Sequence, residues 1–230
     1  MFNVIRNTII DTYRLIKTVV KQSMGGFDVP PEPMFGGDKE LTAFKRFLSE
    51  ASGYIEYGAG GSTVMAAGYN IPMITVEHDK VFLANVKEKI VANGKMHKNI
   101  ILLHKNLGPV GRFGNLLFTD YIGDKRKRLF REYVSGPWQP HLEAYASQCD
   151  FVLVDGRFRV ACALYAIEQF QSRNFRLVVD DYEGRPEYSI IEKYAVLEEM
   201  IGRMAVFRRN PSLDQSRLMQ AQASFIDDYR

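Results

Sequence analysis

The chain has 230 residues, of which 46% are hydrophobic and 25% charged, with a net charge of +3 and two cysteines. That size suits one domain, or one domain with an appendage, and the apolar share is enough for a core, which excludes disorder as a description of the whole. The charge is too slight to indicate nucleic acid by itself, and no apolar run approaches the roughly 18 residues of a membrane span.

The first element is FNVIRNTIIDTYRLIKTVVKQ. Phe2, Ile5, Ile9, Tyr13, Ile16 and Val20 recur at three- and four-residue steps, a helical stripe. Arg6, Arg14, Lys17 and Lys21 make it basic and amphipathic. It has neither a continuous apolar stretch nor a small-residue cleavage site, so it does not read as a secretory signal. Two uses fit such a helix: lying on a membrane surface, or packing on the domain or on a second copy of the chain. GGFDVPPEPMFGG follows as a Gly/Pro linker. The chain therefore divides into a helix over 1–24, a linker over 25–37 and a domain over 38–230.

Within the domain, strands and helices alternate. DKELTAFKRFLSE reads as a helix with Asp38 at its N-cap, YIEY as a strand, and STVMAAGY as a helix that opens at a glycine turn. IPMITVE is an apolar strand, and DKVFLANVKEKIVANG a helix that Asp79 starts and Gly94 ends. NIILLH and CDFVLVDG are strands three and four, VACALYAIEQFQ a helix, FRLVVDD a fifth strand and YSIIEKYAVLEEM a helix. AVFRR and RLMQAQASF are expected to close the sheet as an antiparallel pair. Cys149 precedes a strand and Cys162 lies in a helix, so both read as reduced core thiols. Apolar strands separated by helices imply a doubly wound α/β domain with a mostly parallel sheet. In such sheets the ligand sits beyond the carboxyl ends of the strands, where strand order reverses.

The residues at those ends carry the chemistry. Glu56 ends strand one, and Gly58, Gly60 and Gly61 follow before Ser62 and Thr63. A dinucleotide fingerprint would need a third glycine where Thr63 stands, which weakens an NAD(P)-dependent oxidoreductase. Glu77 ends strand two, where an acid would accept bonds from ribose hydroxyls. Together these features favour an adenosine ligand without a pyrophosphate.

EYGAGGST followed by ITVEHD resembles the first two motifs of class I S-adenosylmethionine-dependent methyltransferases. FVLVDGRFRVACAL, VVDDY and MIGRMAVF are similar to a bacterial branch of methyltransferase-like proteins, and the resemblance runs from about residue 38 onward. It implies a seven-stranded Rossmann-like sheet with a C-terminal antiparallel pair, and a cytoplasmic enzyme that uses S-adenosylmethionine. Gly58 and Gly60 would let the methionine part of the cofactor approach, beside Ser62 and Thr63. Glu56 would hold its amino end through the loop. Glu77 would take the ribose hydroxyls, His78 would lie against the adenine and Asn106 would meet the adenine edge.

Asp155 ends strand four, and Asp180 and Asp181 end strand five. Three converging carboxylates call for a cation or for protons. The pattern resembles metal-dependent sugar and catechol O-methyltransferases, which implies Mg²⁺ at Asp155, Asp180 and Asp181. Arg157 and Arg159 offer a second reading, an Asp–Arg network that shapes the pocket or holds an anionic substrate. The two stay open at this level. Candidate bases for a hydroxyl acceptor are Asp155, His104, His141 and Tyr182. No N-P-P-Y-type segment follows strand four, which argues against methylation of DNA bases. About forty residues separate strands three and four, with a basic run from Lys125 to Arg131 and Trp138 beyond it. This insert reads either as a wall that recognises an acidic acceptor, such as a uronic acid, a phosphorylated sugar or nucleic acid, or as a solvated helix face; the chain lacks the aromatic-interleaved basic surface of a dedicated nucleic-acid binder. A non-catalytic module binding an adenosine ligand is the rival of a different class.

Overall fold

The computed structural model describes residues 2–170 and 173–225. The ends of the expected first helix and of the domain, at Met1 and 226–230, and Gln171 of the helix expected before strand five lie outside the described residues.

A single seven-stranded sheet organises the chain, in the order β3-β2-β1-β4-β5-β7-β6. Its strands are β1 (Tyr54–Tyr57), β2 (Met73–Glu77), β3 (Ile100–His104), β4 (Phe151–Val154), β5 (Arg176–Val179), β6 (Ala195–Ile201) and β7 (Met204–Arg209). β1 to β5 pair in parallel, and β7 alone runs against its neighbours β5 and β6. The sheet is the doubly wound α/β arrangement expected of the alternating pattern. Strand order reverses at β1, which has β2 on one side and β4 on the other.

The central strands are buried at every position because both faces are covered. Tyr54, Phe151, Leu153 and Val178 meet one helical layer, α2 (Asp38–Glu50), α3 (Gly61–Ala66) and α4 (Lys80–Ala92), through Phe44, Phe47, Val64 and Val86. Ile55, Tyr57, Val152, Val154 and Leu177 face the other layer. That layer is built from α5 (Asp124–Val134), α6 (Glu143–Ala146), α7 (Arg159–Gln169) and α8 (Gln215–Phe225). Cys149 and Cys162 are buried, unbridged thiols in this second core, as their sequence context implies. The N-terminal helix α1 (Phe2–Ser23) lies outside both layers.

Three expectations are corrected. The closing antiparallel pair is β6 with β7, and RLMQAQASF is instead α8, whose Leu218 and Ala221 pack into the core. YSIIEKYAVLEEM is not one helix: a 3₁₀ stretch, Pro186–Lys193, leads into β6. The pairing with β7 overrides the helical spacing of these residues. Gly37, not Asp38, occupies the N-cap of α2. Asp79 does cap α4, accepting the Val81 and Phe82 amides at 2.9 and 3.1 Å. Asp79→Ala leaves both amides without that partner, and is expected to lower unfolding free energy by about 1 kcal/mol in urea denaturation.

Candidate functional site

The glycine turn is set by a carboxylate that sees no water. Glu56 is fully buried, yet every direction around it supplies a hydroxyl: Tyr54 Oη at 3.0 Å, Thr63 Oγ1 at 2.6 Å, Thr75 Oγ1 at 3.0 Å and Ser62 Oγ. Thr75 is there because it stands opposite Glu56 in the β1–β2 register. Ser62 and Thr63 are there because α3 begins at once after the turn. Thr63 Oγ1 also accepts the Gly60 amide at 2.8 Å, so one hydroxyl ties the turn to the strand. Burial pushes the Glu56 carboxyl up to about 7, against the pull of these donors. Glu56 is thus tied to the loop through the hydroxyls of Ser62 and Thr63. Ser62 and Thr63 are buried beneath the turn, where they hold its shape.

Gly58 leaves β1 with φ +95°, and a Cβ there would stand 2.8 Å from the Gly156 backbone of the β4 loop. The two loops therefore meet backbone to backbone at the switch point. Gly60 differs: a Cβ would enter open space. A Cβ on Gly61 would overlap the Glu32 carbonyl, because the N-terminal linker runs across the start of α3. That contact has no local signal in the sequence.

Glu77, at the end of β2, is held by its own surroundings. Oε1 accepts the His78 and Asp79 amides at 2.7 and 2.8 Å and the His78 ring Nδ1 at 2.6 Å, while among the described residues Oε2 accepts only the Ala59 amide at 3.0 Å. One lobe of Oε2 is left for a further donor. His78 and the backbone amides hold the Glu77 carboxyl below its usual range despite burial. Glu77 in turn raises His78 against its own burial. His78 lies under the insert, since a Cβ on Gly114 would come within 2.7 Å of its ring and 3.1 Å of Arg157 Cγ. Asn106 accepts the Gly108 amide through Oδ1 at 2.8 Å, turning the chain after β3.

The three acids at the ends of β4 and β5 do converge, with carboxylate oxygens within 4.8 Å of one another. Arginines fill the space between them. Arg159 reaches Asp155 at 3.0 Å and Asp181 at 3.1 Å. Arg203 reaches Asp180 at 3.1 Å and Asp181 at 3.0 Å, and Arg185 approaches Asp181 at 3.7 Å. The donor set is already neutralised by guanidinium groups, so it does not fit Mg²⁺, and the Asp–Arg network is the arrangement present. Burial, with the carboxylates of Asp180 and Asp181, pushes Asp155 up to about 8, against Arg159. Arg203 escapes a local reading because it comes from the β6–β7 turn, carried to Asp180 by the pairing of β7 with β5.

The other candidate bases lie elsewhere. His104 ends β3, three strand spacings from β4, or about 14 Å away, and its Nε2 sits 3.1 Å from the His78 carbonyl. His141 is exposed on a 3₁₀ turn of the insert. Tyr182 is buried against Phe207, donates to Glu192 at 2.6 Å, and is held well above its usual range by burial and that carboxylate. Tyr182 therefore belongs to the core and not to an acid–base pair. Trp138 donates to Tyr57 Oη at 2.9 Å and packs edge-on against Phe170. Arg126, from the basic run, donates to the Leu107, Pro109 and Leu117 carbonyls and so fastens the insert internally.

The Glu56 arrangement has a consequence for stability. An acid raised by folding keeps its proton in the native state while the unfolded chain has lost it, so stability falls as pH climbs from about 4.5 to about 7. Urea titrations across that range are expected to show this slope, with Glu56 contributing on the order of 3 kcal/mol beside the share of Asp155, which is also raised, and Glu56→Gln is expected to remove the Glu56 share alone.

No family model matches the chain, and no curated protein matches it. Solved structures do. A methyltransferase-like protein from Silicibacter pomeroyi is 28% identical with a TM-score of 0.70, over 86% of this chain and 99% of that one. Escherichia coli yhhF, provisionally a methyltransferase, is 14% identical with a TM-score of 0.44, over 81% of this chain and 94% of that one. A provisional O-methyltransferase from Klebsiella pneumoniae is 14% identical with a TM-score of 0.40, over 97% of this chain and 84% of that one. The last two superpose too loosely to bear on the site. The strand order, the glycine turn and the Silicibacter likeness together place the chain in the S-adenosylmethionine-dependent methyltransferase superfamily, with similarity to that methyltransferase-like protein.

Proposed function

We infer that the protein transfers a methyl group from S-adenosylmethionine to a hydroxyl of a small molecule or glycan. The observation that carries this reading is the edge where β1 and β2 end. There the Cβ direction of Gly60 is open and Glu77 Oε2 keeps a lobe for a ribose hydroxyl. Gly58 and Gly60 line the approach, and Glu56 keeps the turn rigid from below. When bound, the cofactor supplies a sulfonium methyl whose departure leaves a neutral thioether. Transfer to oxygen then needs a group that accepts the hydroxyl proton. Asp155 stands at the end of β4, beside β1, with a carboxyl tuned close to neutrality. Arg157, at the same loop, contributes positive charge for an acidic acceptor.

Specific features favour a second reading, a cofactor-binding module that transfers nothing. Arg159 and Arg203 already occupy oxygens of the acidic cluster where an acceptor would be activated. Product formation separates the two.

The first test is calorimetric titration of S-adenosylmethionine into cofactor-free protein, with and without EDTA. Saturable binding that EDTA leaves unchanged is expected, weakened at least tenfold by Glu77→Gln in a variant with an unchanged melting curve. A folded protein that binds nothing would sink the reading. Once an acceptor is found by screening, kcat/KM is expected to rise with pH and level off above about 8 as Asp155 loses its proton. Asp155→Asn is expected to abolish that rise while retaining cofactor binding.

A further inference from the structure

Helix α1 is turned the wrong way round for a helix that belongs only to its own domain. Its sheltered residues are Val4, Thr8, Ile10, Asp11, Leu15, Thr18 and Gln22, four of the seven polar. Its outward side carries Ile5, Ile9, Tyr13, Ile16 and Val20, each between 50% and 65% exposed. At 100° per residue these five fall within a single arc of about 80°, opposite the side that meets the body. An aqueous environment penalises such a stripe, and among the described residues nothing covers it.

The charge pattern says what would. Arg6, Arg14, Lys17 and Lys21 fall along one flank of the stripe. The only acid of the helix, Asp11, is already engaged, accepting the Phe118 amide at 2.7 Å and lying 3.7 Å from Arg14. A second copy of α1 would bring no further acid to meet Arg6, Lys17 and Lys21, and in an antiparallel pair it would set cation against cation. An anionic lipid surface satisfies both features together, taking the apolar stripe at the acyl boundary and the cations at the headgroups. No described helix is long and apolar enough to cross a membrane. A helix of 22 residues lying flat would extend about 33 Å along the surface.

We propose that α1 docks the protein onto anionic lipid bilayers, its stripe from Ile5 to Val20 entering the interface and its cations holding the headgroups. The orientation is fixed by the body. Asn85 donates to the Gly25 and Phe27 carbonyls at 2.7 and 3.1 Å, which pins the exit of α1 to α4, and Asp11 pins its middle to the insert.

The test is co-sedimentation of the full chain with vesicles of phosphatidylcholine alone or with 30% phosphatidylglycerol. Binding to the anionic vesicles, lost on neutral ones and weakened by salt, is expected. Ile9→Ser with Ile16→Ser leaves the charge unaltered on an exposed face, and is expected to reduce partitioning at least tenfold with an unchanged circular dichroism spectrum and melting curve. Tyr13→Trp is expected to add a component of blue-shifted emission when anionic vesicles are added. Binding that the serine pair leaves intact would mean surface adhesion by charge alone and would overturn the proposal. So would absence of vesicle binding, with or without a concentration-dependent dimer that the serine pair abolishes.

Discussion

A carboxylate taken wholly out of water must find its donors in the protein, and the local architecture here is arranged around one that does. Glu56 draws hydroxyls from its own strand, from the neighbouring strand and from the first turn of α3. Because Thr63 donates to Glu56 and accepts from Gly60, the buried acid, the turn and the helix start form one hydrogen-bonded unit. The exposed side of that unit is backbone and glycine, which is the surface a cofactor needs for close approach. Removing a single hydroxyl would leave a buried acid short of a donor, so the rigidity of the turn and the stability of the domain share a cause.

The acidic cluster one strand away solves a related problem differently. Asp155, Asp180 and Asp181 would repel one another if left alone, and Arg159 and Arg203 bridge them in pairs. Arg203 reaches further, donating to the Met34 carbonyl at 2.7 Å while its own amide lies 3.4 Å from Glu40 Oε1. The β6–β7 turn therefore joins the end of β5, the linker and α2 through a single residue. A bridging guanidinium cannot dissociate as a metal ion can, so the balance of charge in this part of the crevice is built into the chain.

Much of this was legible before any coordinates. The five parallel strands follow from apolar runs, and Glu77, Asp155, Asp180 and Asp181 sit at or just past strand ends because carboxyl ends of a parallel sheet share one edge, while Glu56 lies one residue inside β1. The sequence was silent where the partner came from far along the chain. Arg203 is brought to Asp180 by an antiparallel pairing whose second strand, Ala195–Ile201, has helix-like spacing. The contact of the linker with Gly61 depends on a chain path no spacing records. His104 and Tyr182 were plausible bases by residue type and position. Strand order removes the first from Asp155, and core packing removes the second.

The Gly/Pro segment between α1 and α2 bears on how the two proposed surfaces relate. Its composition reads as a tether, yet it is held at three places: by Asn85 at Gly25 and Phe27, by close passage of Glu32 over Gly61, and by Arg203 at Met34. Two of those places belong to the machinery of the crevice, one at the glycine turn and one at the acidic cluster. A segment pinned in this way holds α1 in a set orientation to the strand ends, which a flexible tether would not do. If lipid takes up α1, the crevice is held at a defined angle to the bilayer, and an acceptor would enter from a direction the surface itself limits. Conversely, the linker contact at Gly61 gives the glycine turn a neighbour outside the sheet. The cofactor crevice and the helix are thus mechanically continuous, although they lie on separate layers of the chain.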